Sequence, residues 1–191
     1  MDVATPPERI MTPRLELRRY ERSFAENMFE LVDAERERLG RFLPWVEKTK
    51  TLLDEQKYIE FAIQSWDEKN LFDFGLFLKG RYIGSIGVHT ISWANERCEI
   101  GYWLGEKYSG QGLVKEAVIG LLERLFDLGF YRVEIRCDQK NTKSSQVAVR
   151  AGFRLEGVFL GDEISMGQRR NTLVFARCRN ESVIKFENLT H

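Results

Sequence analysis

Apolar and polar residues recur with two different periods along this chain, and the two periods alternate. Apolar residues at every second position, bounded by turn residues, predict strands. Seven segments show that pattern: residues 15–20, 72–78, 82–91, 97–104, 132–137, 153–158 and 171–179. Apolar residues spaced three and four apart predict helices over 24–32, 54–69, 116–128 and 141–151. Residues 1–13 and 39–51 carry neither pattern and are predicted to be a lead-in and a loop.

The order of these elements predicts an α/β (α+β) fold. One strand and two helices come first, and three strands joined by short turns follow as a meander. Helices then separate the remaining strands, which places helices on both faces of the sheet. The sequence therefore predicts a mixed, mostly antiparallel sheet of about seven strands. The length fits a single domain over residues 1–191.

Composition and charge exclude several classes of protein. The chain has 29 Lys and Arg against 29 Asp and Glu, a balance that argues against a general nucleic-acid binder. The N-terminus is polar, and no apolar run approaches the ~20 residues that would cross a bilayer. We therefore expect no membrane association and a cytoplasmic location. A homodimer is compatible with the sequence, which does not fix the oligomeric state.

The cysteines and histidines do not form a recognisable metal site. Cys98, Cys137 and Cys178 are too widely spaced for a zinc motif, and each lies in a predicted strand, where a buried thiol is the simplest interpretation. His89 and His191 are far apart, and we expect a structural role rather than a substrate contact for both. No metal is predicted.

A glycine loop carries the strongest functional signal. Residues 108–115 read YSGQGLVK and join a predicted strand to a predicted helix. Gly110 and Gly112 let the backbone approach a ligand closely. The free amides and the positive dipole end of the helix then face a negative charge. This arrangement predicts a cofactor that contains a pyrophosphate.

Three motifs together resemble the GNAT acetyltransferases. The first is EIGYWL at 99–104 leading into the glycine loop, and the second is RVEIR at 132–136 followed by NTKS at 141–144. The third is Gly152-Phe153 continuing into LEG at 155–157. Together with RFLPW at 41–45, they look most like the RimJ/RimL type, which acetylates N-terminal amines of ribosomal proteins.

This resemblance implies acetyl-CoA as co-substrate and a split between two central strands. The strand that contains Glu99 would diverge from the strand at 132–137, and the pantetheine arm would enter the gap. Backbone amides near Trp103 and Leu104 would polarise the thioester carbonyl. The pyrophosphate would contact Ser109, Gly110, Gln111, Gly112, Leu113 and Val114. Ser109 and Val114 depart from the usual residues at the ends of this loop, so we expect binding through backbone amides.

Glu99 is the candidate general base for direct acetyl transfer to an amine. In a strand it shares a face with Gly101, which would leave space beside the carboxylate. The competing interpretation is a structural ion pair with Arg97 or Arg132. No cysteine has an activating histidine nearby in sequence, which favours direct transfer over a cysteine-linked intermediate.

Four further residues are candidates in the site. Many family members carry a tyrosine as general acid where this chain has Ala148, so Ser144 is the candidate proton donor to the thiolate. Its competing interpretation is a helix N-cap. Asn141 is either a coenzyme contact or a turn residue. Trp45 and Tyr102 either line the acceptor site or belong to the core.

The sequence therefore predicts an N-acetyltransferase that acts on a protein N-terminus such as that of a ribosomal protein. Two alternatives stay open at this point. One is acetylation of a small amine, a polyamine or an aminoglycoside. A polyamine site should carry clustered acidic residues; a solvated surface explains the available ones equally well, and these are Glu35, Glu37, Glu47, Asp54 and Glu55. The other is a non-catalytic sensor of acyl-CoA on the same fold.

Overall fold

The computed structural model describes residues 4–165 and 167–179, and His191 lies outside them. The strands are β1 Arg9–Met11, β2 Leu15–Arg19, β3 Phe72–Leu78, β4 Arg81–Ser92, β5 Arg97–Leu104, β6 Arg132–Asp138, β7 Arg154–Ser165 and β8 Gln168–Cys178. The helices are α1 Ala25–Ala34, α2 Arg36–Gly40, α3 Leu52–Asp67, α4 Leu113–Asp127 and α5 Thr142–Arg150. No helix within these ranges is long and apolar enough to cross a membrane.

The strands form one sheet in the order β1-β2-β3-β4-β5-β6-β8-β7. Every neighbouring pair is antiparallel except β5 and β6, which run parallel. The predicted fold class is thus confirmed, with one strand more than expected. That strand is β1, in the predicted lead-in. It has three residues, of which Ile10 alone is buried, so its alternation is too short to be recognised.

Helices cover both faces of the sheet, as predicted. On one face α4 packs its apolar stripe, which includes Ala117, Leu121 and Leu125, into a core cluster with strand residues. On the other face α1 and α3 bury Met28 and Ile59 in a second cluster. The two clusters bury enough apolar surface to hold the sheet between the helices.

Local sequence signals set where the helices begin. Thr51 and Asp54 form a capping box, so α3 starts at Leu52 rather than at the predicted residue 54. Gly112 is the N-cap of α4, which therefore starts three residues before the predicted 116. The predicted loop over 39–51 contains a short 3₁₀ turn, Pro44–Glu47, that begins with a proline.

The two central strands split as the family resemblance implies. Strand β5 pairs with β6 only at Arg97, Cys98 and Glu99. Beyond Glu99, β5 continues to Leu104, and β6 continues to Asp138. The two strands do not pair with each other there, so a gap opens between them. The gap leaves one edge of β5 open to a ligand.

Candidate active site

A cavity of about 430 Å³ opens where β5 and β6 separate. Six of the residues predicted for the site line it: Trp45, Glu99, Tyr102, Trp103, Asn141 and Ser144. They come from a turn, a strand and the start of a helix that are far apart in sequence. Leu104 and the glycine loop, residues 109–114, do not line it. No group of three or more His, Cys, Asp or Glu side chains in the described part of the chain is placed to hold a metal ion.

Glu99 lies on the cavity wall, largely buried, beside a guanidinium. The Nε of Arg136 is 3.6 Å from its Oε2, so the ion pair forms with Arg136 and not with the predicted Arg97 or Arg132. Burial raises the pKa of the Glu99 carboxyl to about 6; Arg136 limits the rise, and the charges of Glu134 and Glu163 add to it. A carboxylate with this pKa is ionised at neutral pH and is a competent base.

Arg136 is shared between two carboxylates. It donates to Oε2 of Glu134 from Nε at 3.1 Å and from Nη2 at 3.0 Å. Arg132 donates to the other oxygen of Glu134 at 2.9 Å. Burial alone would raise the pKa of Glu134, but the two arginines lower it. Glu134 is therefore held as a paired anion, and the ion pair of Arg136 with Glu99 is the longer and weaker of the two.

A backbone irregularity in β4 shapes the surroundings of Glu99. The register between β4 and β5 shifts between His89 and Ser92, and Thr90 adopts a φ of 52°, which is strained for a β-branched residue. The Thr90 side chain opposes the rise in the pKa of the Glu99 carboxyl. Strain of this kind at a carboxylate in a cavity is typical of a functional site.

His89 fills the space beside the Glu99 carboxylate that Gly101 was expected to leave open. It pairs with Glu99 across the strands, and a Cβ placed on Gly101 would lie 2.8 Å from its Nε2. Gly101 is therefore needed to make room for the imidazole, which corrects the expectation of open space beside the carboxylate. Burial and the charge of Arg136 lower the pKa of His89, so the ring is neutral. It also lines the cavity, and the structural role expected for it stays a prediction.

Ser144 lies across the cavity within a small polar cluster. The Tyr102 hydroxyl is 3.1 Å from Ser144 Oγ and 3.1 Å from its carbonyl oxygen. Burial raises the pKa of the nearby Cys137 thiol, and the Ser144 side chain limits that rise. Ala148, where the family resemblance implies a tyrosine in many members, is fully buried. The phenol of Tyr102, which lies on β5, thus contacts Ser144 near the start of α5.

Asn141, and not Ser144, caps helix α5. The Asn141 Oδ1 accepts the Ser144 amide at 3.2 Å. The interpretation of Ser144 as an N-cap is therefore wrong, because its hydroxyl does not cap a backbone amide at the start of the helix. Asn141 thus has a structural role at the start of the helix, and its contact with the coenzyme stays a prediction.

The glycine loop has the backbone that the phosphate prediction requires. Gly110 and Gly112 have φ of 77° and 75°, a region that favours glycine. The amides of residues 110–112 have no acceptor among the described residues, and those at the start of α4 lack an intrahelical partner. Arg14 braces the loop, since its Nη1 donates to the Gln111 carbonyl at 2.9 Å and its Nε pairs with Glu116 at 2.6 Å.

Trp45 and Trp103 contact each other beside the cavity with inclined ring planes. The rings of Trp45 and Trp103 are 5.9 Å apart, and Trp103 also meets Tyr82 edge-on at 6.1 Å. Both tryptophans therefore combine packing with a place on the cavity wall. The Leu104 carbonyl accepts a hydrogen bond of 2.7 Å from Arg38. The role of Trp103 and Leu104 amides in coenzyme binding stays a prediction.

Sequence reasoning missed several residues that complete the site. Arg136 and Glu163 set the charge around Glu99, Cys137 borders Ser144, and Arg14 braces the loop. One signal was available, because the alternation of β6 places Glu134 and Arg136 on the face that a parallel neighbour would share with Glu99. Glu163 and Arg14 reach the site from distant parts of the chain, and no local sequence pattern predicts such long-range contacts.

Comparisons with known proteins agree with this geometry. The family model described as "Acetyltransferase (GNAT) domain" matches residues 14–154. The chain is 30% identical over 144 residues to the ribosomal-protein-serine acetyltransferase of Escherichia coli (strain K12), which covers 75% of this chain and 80% of that protein.

Two solved structures share the fold over most of their length. One is the RimL ribosomal L7/L12 alpha-N-protein acetyltransferase with coenzyme A as a disulfide to a cysteine (TM-score 0.87, 26% identity, 90% of this chain and 98% of that one). The other is the microcin C7 self immunity acetyltransferase MccE with acetyl-CoA and AMP (TM-score 0.86, 26% identity, 93% and 99%). The split strands, the glycine loop and these matches lead to one conclusion: this chain belongs to the GNAT acetyltransferase family.

Proposed function

We propose that this acetyltransferase moves the acetyl group of acetyl-CoA directly to the N-terminal amine of a protein. The observation that carries the proposal is that Glu99 and Ser144 line one cavity at the split between β5 and β6. Direct transfer needs a group that removes a proton from the amine and a group that protonates the departing thiolate. Glu99 and Ser144 supply one each.

The residues of this chain fit the coenzyme. Acetyl-CoA supplies the activated thioester. The free amides of the glycine loop suit its pyrophosphate, and the unpaired edge of β5 suits its amide-bearing arm. Of the three cysteines, Cys137 lines the cavity, and the coenzyme of the RimL structure is joined to a cysteine. We therefore assign the Ser144 end of the cavity to the sulfur.

The acidity of the acceptor favours an N-terminal amine. Near pH 7.5 about a third of an α-amine with a pKa of ~7.8 is neutral, compared with roughly one in a thousand of an alkyl amine with a pKa of ~10.4. A base with a pKa of about 6, as Glu99 has, suits the less basic amine. The proteins named in the comparisons as ribosomal-protein acetyltransferases act on such amines, which supports the same acceptor class here.

Acetylation of a small amine is the second candidate, because acidic residues line the cavity. These are Glu55, Asp73, Glu99 and Asp138. The family membership, the strained Thr90 and the placement of Glu99 argue against a non-catalytic sensor.

We place the protein in the cytoplasm, with no nucleic-acid partner.

A coenzyme-release assay separates these functions. N-terminal peptides, a triamine and an aminoglycoside are offered with acetyl-CoA, and free thiol is measured. We expect the highest kcat/KM with peptides. A higher value for the triamine or the aminoglycoside would overturn the proposal in favour of a small acceptor, and binding of acetyl-CoA without turnover of any amine would make the protein a sensor.

A further inference from the structure

The wall of the cavity contains a buried carboxylate with no partner. Glu55, on α3, is 2% exposed and lines the cavity. Its Oε2 has no hydrogen-bond partner, and its side chain accepts no hydrogen bond from any residue in 4–165 or 167–179. The guanidinium of Arg36 acts on Glu55 through its charge, but it donates to Asp33 at 2.7 Å and to the Val46 carbonyl at 3.0 Å, and its Nη2 has no hydrogen-bond partner. An unpaired buried carboxylate is costly, and a structure that keeps one requires an explanation.

A second carboxylate on the same cavity wall is also incompletely paired. Asp73, on β3, is 7% exposed, and its Oδ2 accepts the Tyr58 hydroxyl at 2.7 Å. Its Oδ1 occupies the space above Gly87, where a Cβ would lie 1.9 Å away. The described residues give that oxygen no donor. Gly87 therefore makes room for a carboxylate that faces the cavity.

The charges around the cavity do not balance. Glu55, Asp73, Glu99 and Asp138 face one guanidinium, that of Arg136. Arg136 is already shared by Glu134 and Glu99, and Arg170 lies 3.8 Å from Asp138. Neither Glu55 nor Asp73 has a cationic side chain of the described chain within ion-pair distance. A positively charged ligand would stabilise the ionised forms of both carboxylates.

We propose that Glu55 and Asp73 form a subsite for a second positive charge on the acceptor, a basic side chain within its first two residues. This inference rests on the proposed transfer to an N-terminal amine and specifies the acceptor class. A lysine ammonium or arginine guanidinium would take hydrogen bonds to the free oxygens of both carboxylates. The subsite binds the basic side chain of the acceptor, while Glu99 accepts the proton of its N-terminal amine.

The spacing of the sheet fits such an acceptor. Asp73 pairs with Gly87, and Gly87 pairs with Gly101, which is two residues from Glu99. With strands about 4.8 Å apart and ~3.3 Å per residue, the Cα atoms of Asp73 and Glu99 are roughly 12 Å apart. A lysine at the second position places its ammonium up to about 10 Å from the terminal amine, and the carboxylate side chains cover the remainder.

Ionisation of the two carboxyls is poised to respond to a bound cation. Burial raises the pKa of Glu55 to about 7, although Arg36 opposes the rise, and burial raises the pKa of Asp73 to about 6. A cation between them would favour both ionised forms. The competing interpretation is a structural attraction between Glu55 and Arg36 alone, which predicts no effect of the acceptor's charge.

Matched peptides test the subsite in the wild-type protein. Peptides with lysine at position one or two are compared with the same peptides carrying norleucine there. Because a charge-assisted hydrogen bond contributes about 1.5–3 kcal/mol, the lysine peptides should have a kcat/KM at least about tenfold higher. Equal values for lysine and norleucine would overturn the subsite while leaving the proposed function intact. No transfer to any peptide would instead contradict the proposed function.

A triamine and a monoamine form a second arm of the experiment. If the triamine is acetylated more efficiently than every lysine peptide, the second charge belongs to a small amine and the peptide form of the proposal fails. If the lysine peptides are preferred, the acceptor is a basic N-terminus. A monoamine that reacts as well as the triamine would show that the second charge is not recognised.

Two variants assign the selectivity to these residues. Glu55→Gln and Asp73→Asn keep the shape of each side chain and remove its charge, and each should bring the ratio between lysine and norleucine peptides close to one. Glu60→Gln is the matched control, because Glu60 is an exposed residue of the same helix that pairs with Arg22 at the surface. A ratio that survives both substitutions would overturn the assignment, and the wild-type comparison tests the subsite even if a variant does not fold.

Discussion

Glu99 shows how far a single residue's role can be predicted. Its identity as candidate base follows from the motif, but its actual partner does not. The sequence offers Arg97 and Arg132, whereas the parallel register at the split brings Arg136 to it. Which arginine reaches a carboxylate depends on strand pairing across more than thirty residues of chain, and no local pattern contains that information.

Replacing Glu99 by Gln should remove the base and keep the shape. We expect kcat to fall by ~10²–10⁴-fold, with a nearly unchanged KM for acetyl-CoA. The base must be ionised to accept a proton, so wild-type activity should be lost as pH falls through about 6, the pKa of Glu99. The variant should lack that dependence. Rates measured between pH 5 and 8 check both expectations.

Glu163 is the rival base, because its charge already acts on Glu99 from β7. Glu163→Gln serves as the comparison. If that variant loses the acidic limb of the pH profile and Glu99→Gln retains it, the base is Glu163 and Glu99 only positions the surrounding charges.

Ser144→Ala tests the proton donor. Because Asn141 caps the helix, this substitution removes a hydroxyl without removing the cap. We expect a loss on the order of ten- to a hundredfold in single-turnover acetyl transfer, since a thiolate with a free pKa of ~8.5 leaves fairly well unaided. Tyr102→Phe should cause a smaller loss, because its hydroxyl only orients Ser144.

Ser145→Ala is the matched control for Ser144. Its hydroxyl lies one residue further along α5 and donates to the Thr142 carbonyl at 3.1 Å, so it is used locally. A rate in Ser144→Ala equal to that of Ser145→Ala would leave Ser144 without a chemical role and make water the donor.

At the scale of elements, long periodic segments are the ones that could be predicted. Strands β3 and β5 match their predicted bounds because turn residues flank them on both sides. Strand β1 was missed because three residues with one buried position give no period. The irregularity at Thr90 was also invisible, since only the pairing of β4 with β5 makes it a bulge.

The glycine loop is an element whose function depends on its backbone. Gly112→Val should weaken acetyl-CoA binding severely, because a β-branched residue resists a φ of 75°. The added Cβ meets only Arg14 Nη2, at 3.7 Å. The loss of affinity should therefore come from backbone strain and from crowding of the bound phosphate by the valine side chain. Calorimetric titration of the folded variant with acetyl-CoA measures it.

Gly129→Val controls for strain at the opposite end of the same helix. Gly129 has a φ of 101° and open space around its Cβ position, so it suffers a similar conformational penalty far from the loop. It should lower stability and keep coenzyme affinity. Equal affinity in both variants would remove the phosphate assignment from residues 109–114.

At the scale of the whole molecule, the sheet depends on a narrow connection. Three residue pairs join β5 to β6, and hence the strands β1–β5 to the strands β6–β8. Helix α4 contacts β1, β2 and β5, while α5 contacts β6 and β7, and the two helices touch each other. Packing between α4 and α5 therefore adds to the connection made by the three strand pairs, a feature that motif reading could not reveal. A homodimer stays compatible with the sequence, which does not fix the oligomeric state.

A ligand that enters the split should stabilise both parts of the sheet together. If residues 1–191 form the single predicted domain, thermal unfolding should show one transition, and acetyl-CoA should move that transition as a whole. At a hundred times its Kd the coenzyme contributes about 2.7 kcal/mol, which corresponds to roughly 5–10 °C for a chain of this size. Differential scanning calorimetry with and without acetyl-CoA makes the measurement, and Gly112→Val should lack the shift. Two transitions of which only one responds to acetyl-CoA would mean that the parts on either side of the split fold as separate units, because a ligand can stabilise only the unit that contains its site.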